Sequence, residues 1–392
     1  MKKNKLTALF FLFAGIISAQ TATSVQNGNW TNPMTWSCTC VPTPGYTVII
    51  NNTVTLNTSF GYTTGSITVN IGGTLVDDPT GRDLWLNGGT FTNNGTTDIR
   101  NFLIQAGTFS NSGTITANAI ANYVVFTNSG TFLNVDSIYN SSSITNNGSF
   151  SGIDSITNAG IFLNNGSSVF NQFTNTGQYV NNNNLSFTDI TNTGTLSNAD
   201  TILCTHSVWN TGLITNMLSS YFNITKSILN QDPVAHDAVI SNNGRMNVQD
   251  SWYNFDSITG SGSFIVQDTS YNSGFMKNNF DFCDLTPPNS APYVDINLGT
   301  ISSAITWCIN TGIADQQEEE IIAFPNPAND IIMISGNLPE HFNIMIYSMD
   351  GKLILESKDN RKVDVSNLLP GIYLTQIKAE NKNIFIKTEI VR

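Results

Sequence analysis

The chain has 392 residues, with 28 Asp plus Glu against 16 Lys plus Arg and a formal net charge of −12. Residues 21–310 hold only five basic residues against sixteen Asp and no Glu, an acidic excess that repels polyanions and argues against nucleic acid as a partner. Phosphate-binding chemistry is disfavoured for the same reason.

The first twenty residues set Lys2, Lys3 and Lys5 ahead of an apolar run from Leu6 to Ile17 and close on Ser18-Ala19-Gln20. That layout predicts a secretory signal segment over 1–19, cut after Ala19. The run of about twelve residues is too short for a membrane span, which needs roughly twenty, and no later segment offers that length, so no transmembrane segment is expected. The first cysteine is Cys38, so an N-terminal lipid anchor is not expected either.

Residues 20–50 contain Gly28-Asn29-Trp30, Thr35-Trp36, Val41-Pro42-Thr43-Pro44-Gly45 and Val48-Ile49-Ile50. A stack of repeats needs a capped end, because its terminal rung exposes apolar surface and open strand edges. The order of these residues resembles the Trp…Thr-Trp…Val-Pro opening of secreted bacterial β-solenoids, which implies an N-terminal cap. Sugar stacking by Trp30 and Trp36 is the alternative reading.

From 51 to 310 the chain repeats itself. Asn-x-Gly recurs with its glycine at 95, 113, 130, 148, 160, 177, 194, 212 and 244. Four residues before these glycines stand Phe91, Phe109, Phe126, Ile144, Ile156, Phe173, Ile190, Val208 and Ile240. Two residues after them stand Ile115, Phe132, Phe150, Phe162, Tyr179, Leu196, Ile214 and Met246, with Thr97 as the departure. A third apolar position, eight after the glycine, gives Leu103, Ile138, Ile156, Leu185, Ile202 and Trp252. Copies of about 17–18 residues are too short to fold alone and bury these positions only by stacking on neighbours. The pattern predicts a parallel β-solenoid of one rung per copy. Its Asn-x-Gly would sit at a corner where both residues tolerate φ > 0, with stacked Asn side chains bonding as a ladder. About a dozen rungs roughly 4.8 Å apart give a body on the order of 60 Å long. One gap of 12 between Gly148 and Gly160 predicts a three-sided coil in which the motif moves by two sides. The gap of 32 between Gly212 and Gly244 predicts two rungs that have lost the motif.

Chemistry-bearing residues in this body are few. Asp77-Asp78 with Arg82-Asp83 is the nearest approach to the clustered acids and bases of polysaccharide-cleaving solenoids, but flanking Gly72-Gly73, Pro79 and Gly81 read as a polar loop. His206, His236 and His341 are the only histidines and none stands in a motif with a nucleophile, so no catalytic residue is expected. Neither a zinc spacing nor a calcium loop appears, so no metal and no cofactor is expected beyond a minor structural calcium. Five cysteines in an exported chain should mostly pair. Cys283 and Cys308 are the disulfide candidates; Cys38 and Cys40 share a strand face, where bonding to each other and to neighbours stand equal; Cys204 reads as a buried thiol. Thr53-x-Thr55, Thr90-x-Thr92 and Thr114-x-Thr116 raise an ice-binding face, which would need the pair on successive rungs and does not persist after 116. Asp-Ser/Thr-Ile at Asp136, Asp154, Asp200 and Asp256 resembles the O-glycan acceptor of the Gram-negative phylum that uses type IX secretion. That resemblance implies modification at Ser137, Ser155, Thr201 and Ser257; equivalent positions in the rung are the other explanation.

The acidic run Asp315-Gln316-Gln317-Glu318-Glu319-Glu320 marks a linker over 311–321. Beyond it the balance changes to eight basic and eight acidic residues over 321–392, a domain boundary. Alternating Ile332/Ile334 and Ile344/Ile346, with turns at Asp350-Gly351 and Leu369-Pro370-Gly371, predict a small antiparallel β-sandwich. The order Pro325-Asn326-Pro327, then Gly351-Lys352, then Gly371-x-Tyr373 resembles the type A C-terminal sorting domain of type IX secretion over 322–392. The resemblance implies a translocon and a sortase as partners, removal of this domain, and release or surface attachment. Pro and Gly also serve tight turns in their own right, and Tyr packs a core.

The sequence therefore predicts an all-β protein, a parallel β-solenoid followed by a small antiparallel β-sandwich, secreted or held at the outer cell surface. Its expected role is a non-catalytic rod for adhesion or interaction with a polysaccharide or cell-surface ligand. A polysaccharide-binding or polysaccharide-cleaving exoprotein is the alternative.

Overall fold

Over residues 47–56 inward apolar side chains alternate with outward ones, and the strands Thr47–Ile50 and Thr53–Leu56 bury every second residue, the period-two pattern of a sheet with one buried face. The computed structural model describes residues 20–288, 290–308, 322–335, 341–348, 352–379 and 382–391. The chain divides into two compact units, Met1–Asn310 and Thr311–Arg392. The predicted signal segment with Ala19, the linker 311–321 and Gly351 lie outside the described residues.

In the first unit the chain winds through three strand positions per turn, and every strand ladder is parallel. One face stacks residues 47–50 on 21–23, then 66–69 and 90–93. A second stacks 53–56, 74–77, 96–99 and 114–117. The third stacks 137–140, 155–158 and 172–175 and continues to Ile296–Asn297. The coil makes about 13 turns of about 18 residues. It begins inside the segment assigned to the cap, since Thr47–Ile50 already pairs on both sides. Trp30 and Trp36 close this end edge to face at 5.1 Å. Trp36 donates its indole N–H to the carbonyl of Trp30 at 2.8 Å.

The apolar residues four before and two after each repeat glycine all point inward, and neighbouring rings stack from rung to rung, Phe132 on Phe150 at 4.6 Å and Phe162 on Tyr179 at 4.9 Å. Each such side chain contributes about 1.5–3 kcal/mol of burial. Thr97 is buried as well and gives its hydroxyl to Asn93 Oδ1 at 3.0 Å, so the single polar residue in that column is satisfied. Leu103 corrects the third column: Phe102 and Ile104 point inward on its strand, and Leu103 faces outward.

The asparagines form two ladders. At the corner after the first face, Asn93, Asn111, Asn128, Asn146, Asn164, Asn181, Asn198 and Asn216 each donate Nδ2–H to the Oδ1 of the next asparagine at 2.8–2.9 Å, and Asn242, the last, donates to the carbonyl of Ser263 at 2.8 Å. At the corner after the third face, the series from Asn122 through Asn158 and Asn210 to Asn297 does the same at 2.7–2.9 Å. Gly148 closes the first kind of corner and Gly160 the second, two sides later, as the gap of 12 requires. A Cβ on Gly160 would meet the carbonyl of Ser142, whereas Gly148 lies beneath Gly166. Three further copies of the motif, Asn164-x-Gly166, Asn272-x-Gly274 and Asn297-x-Gly299, occupy the same corners.

Two further expectations change. None of the nine motif glycines adopts φ > 0. Glycine recurs because any Cβ would run into the carbonyl of the preceding rung, as Gly130 would into Gly113 and Gly194 into Gly177; close approach, not left-handed backbone, selects it. The gap of 32 holds one lengthened turn and one further side rather than two rungs. Leu213 pairs directly with Val239, and the surplus residues lie in loops at 217–220 and 231–238.

The second unit has two antiparallel sheets. Ile322–Phe324, Ile331–Ser335 and Lys362–Asp364 form one; Leu353–Lys358, Asn343–Ser348, Gly371–Ala379 and Lys382–Ile390 form the other. Ile332, Ile334, Ile344, Ile346, Val363 and Ile377 pack together as its core, matching the period-two alternation of the sequence.

Candidate functional site

In the C-terminal unit the Pro325-Asn326-Pro327 segment is tied to the last strand by the side chain of Asn326. Its Nδ2 donates to the carbonyl of Lys387 and its Oδ1 accepts from the amide of Glu389, both at 2.8 Å. The amide thus mimics a strand residue where the prolines cannot donate. Lys352 closes the neighbouring turn through its carbonyl, which accepts from Ser348 N at 2.9 Å. Tyr373, two residues after Gly371, packs on the core and donates its hydroxyl to the carbonyl of Leu369 at 2.8 Å. Pro325 and Pro327 line a groove of about 520 Å³ together with Asp330, Met333 and Lys362. Residues 322–392 match the family of secretion system C-terminal sorting domains.

This segment is a type IX sorting domain. It marks the chain for export to the cell surface or beyond, and implies contact with the secretion system. A search of the curated proteins finds no match to the chain. Among the described residues no helix is long and apolar enough to cross a membrane. The sorting domain accounts for the address and leaves the body to be read from its own surface.

The carboxylates singled out in the sequence are occupied by the loop that carries them and by the neighbouring rung. Asp78 accepts from Arg82 at 2.7 Å and from Thr80 at 2.6 Å. The Arg82 guanidinium, then the Thr80 hydroxyl, hold its carboxyl below the usual range. Asp77 accepts the backbone amides of Arg82 and Arg100, and Asp83 accepts from Arg100. Trp30 and Trp36 are 2% and 1% exposed. Both therefore serve the core of the cap, and sugar stacking on them is ruled out by burial.

Cys283 is joined to Cys308, with Cα atoms 4.5 Å apart, and Cys38 to Cys40. Cys204 is a free thiol buried on the second face, and burial pushes it up to about 12. Around the long loop at 231–238, Asp232 lies below the usual range because the amides of Val234 and Ala235 donate to it. Asp237 lies above because it shares a hydrogen bond with Asp232. Among the described residues no group of three or more His, Cys, Asp or Glu is arranged to hold a metal ion.

The glycosylation candidates do not share one position. Ser137 and Ser155 are adjacent on the third face, Thr201 begins a strand of the second face, and Ser257 lies on the first, where it accepts from Lys277 Nζ at 3.2 Å. Ile138 and Ile156 fill one inward column and Ile202 another, so equivalent rung position does not explain the motif. All four hydroxyl-bearing residues are partly exposed. The threonine pairs are likewise distributed: Thr90 and Thr92 lie on the first face, Thr53, Thr55, Thr114 and Thr116 on the second. On that second face Thr53, Thr74, Thr96, Thr114, Thr131, Ser149 and Ser167 make one unbroken hydroxyl column, past residue 116. Its companion column reads Thr55, Val76, Asp98, Thr116 and Leu133, so paired hydroxyls do not recur on successive rungs.

The surface feature that sequence reading overlooked lies on the third face. Immediately before successive ladder asparagines stand Trp209, Leu229, Tyr253, Tyr271 and Ile296, paired rung to rung and pointing outward. Trp209 is 56% exposed, and Tyr253 and Tyr271 have ring centroids 6.3 Å apart. At the head of this file Asp189, Thr191, Ser207, Trp209, Ser227 and Leu229 line a shallow groove of about 300 Å³. There Asp189 Oδ1 is held by His206 Nδ1 at 2.6 Å and by the amide of Ser207 at 3.1 Å. The signal was present as Trp-Asn, Leu-Asn, Tyr-Asn, Tyr-Asn and Ile-Asn dipeptides, but lengthened rungs hide it from a search at a period of 17–18.

Proposed function

We propose that this protein is a non-catalytic interaction rod, carried by the type IX translocon with a sortase acting on its sorting domain, whose solenoid meets a polysaccharide or another cell-surface ligand. The observation that carries this reading is the division of the rung: inward positions are filled by apolar stacks and asparagine ladders, while outward positions form long columns of hydroxyl and aromatic side chains. A ligand that repeats along its length can meet such columns many times, each contact weak and the sum appreciable. The alternative, a polysaccharide-active enzyme, draws its support from the groove that sets Asp189 and His206 beside Trp209.

The test is incubation of the full-length protein with a panel of polysaccharides, following both retention on the polymer and release of reducing ends or unsaturated products. Retention without products is the expected result. Product release would overturn the non-catalytic reading.

A further inference from the structure

Resting on the interaction reading above, we infer that the third face between Asp189 and Ile296 is a binding track for a neutral glycan chain lying along the solenoid axis. The pyranose rings sit on the file of Trp209, Leu229, Tyr253 and Tyr271.

Large apolar side chains seldom line up on an exposed surface without an occupant, and this file spans five successive rungs. Rungs repeat roughly every 4.8 Å, and a hexose unit is about one rung long. Just ahead of these strands, two residues before each of the first four members, stands a second file of Ser207, Ser227, Ser251 and Thr269, headed by Asp189. Two residues along a strand are about 6.6 Å apart, which sets a hydrogen-bonding rail beside an aromatic one. A pyranose has the matching shape, with an apolar C–H face and hydroxyls around its rim. The rail is ordered: Ser207 and Ser227 hydroxyls meet at 3.2 Å, and Asp189 is fixed by His206 and Ser207, so hydroxyl-accepting groups are in place before a ligand arrives.

Charge decides the kind of glycan. Asp189, Asp250 and Asp295 lie along the track, and Lys226 is drawn to Asp250 at 3.7 Å. An anionic polymer would be repelled by this net negative charge; a neutral one would not. Width decides against a protein. The apolar file is one side chain across, whereas stable protein interfaces bury about 800 Å² on each partner.

The experiment uses the full-length protein and its Trp209→Ala, Trp209→Phe, Tyr253→Ala and Val125→Ala variants. Val125 is exposed on the first face and controls for loss of a surface apolar group elsewhere. Affinity electrophoresis and calorimetry are run against neutral β-glucan, xylan and mannan and against anionic alginate and polygalacturonate, with circular dichroism and a thermal midpoint for each variant. The expected result is retention by at least one neutral polymer, tenfold or greater weakening in Trp209→Ala and in Tyr253→Ala, and near-native binding in Trp209→Phe and Val125→Ala. Preference for the anionic polymers, or neutral-glycan binding unmoved by Trp209→Ala and Tyr253→Ala in folded protein, would overturn the track and leave the interaction rod standing. Failure to bind any glycan while a protein from the target surface is retained would overturn it in the same way. Product release from the polymer would instead sink the non-catalytic reading, independently of Trp209.

Discussion

The body and the sorting domain bury polar groups by opposite means. The body places a file of asparagine amides inside each of two corners, every one between the ladder ends satisfied by the rung above and below. The sorting domain keeps its core apolar apart from a few groups such as the Thr375 and Thr388 hydroxyls, which meet at 2.7 Å. The difference follows from topology. A parallel coil turns the same corner at each rung, so a side chain that satisfies its neighbour there satisfies all of them. An antiparallel sandwich turns back on itself, and each turn needs its own solution, as with Asn326. Interior errors should therefore travel along the body and stay local in the sorting domain.

The largest expected effect tests that claim at a corner. Gly148→Val puts a Cβ into the carbonyl of Gly130 and displaces backbone. It should cost more than about 4 kcal/mol and remove the cooperative unfolding transition of the body in a urea titration. A transition that survives within about 1 kcal/mol of wild type would mean the corners have slack.

Next is the interior of a ladder. Asn158→Ala removes the ladder acceptor of the Asn140 Nδ2, which keeps its bond to the Ile161 carbonyl, and the ladder donor to the Oδ1 of Asn175, both buried, and should cost about 3 kcal/mol. Asn297→Ala removes the last bond of the same ladder, at a partly exposed position, and should cost under about 1 kcal/mol. Equal losses at the two sites would break the picture of a ladder satisfied from both sides.

In the sorting domain, Asn326→Ala removes two hydrogen bonds at an exposed site. It should cost about 1 kcal/mol, seen as lost hydrogen-exchange protection at Glu389 while the body's amides stay protected. Loss of protection in the body would refute the local character of the change.

The smallest effect is electrostatic. The folded state lowers the Asp78 pKa through Arg82 and Thr80. Asp78 therefore adds stability above the ordinary carboxylate range near 4, and that contribution disappears as pH falls through the lowered value. Asp78→Asn should lower the thermal midpoint slightly at pH 6 and leave it unchanged well below pH 3. An equal shift at both pH values would assign the loss to packing.

Much of the fold was legible in particular residues. Phe109, Phe132 and Tyr179 show their inward columns because rung after rung repeats the same spacing, and Gly148 followed by Gly160 discloses the three-sided coil. The sorting domain was legible because its turn residues are chemically distinctive. Leu103 was misread because a count from glycine assumes equal sides. The track under Trp209 stayed hidden for a related reason: its members sit 20, 24, 18 and 25 residues apart, and only their ladders place them side by side.

The sequence by itself determined the rung, the rung's inward chemistry and the export address, because each is written in local spacing and in residue types that tolerate few backbones. Tertiary structure alone decided which corner each asparagine occupies, why glycine stands there, and which outward side chains become neighbours. Those outcomes depend on register between rungs, where one inserted loop changes the distance along the chain and leaves the distance in space unaltered.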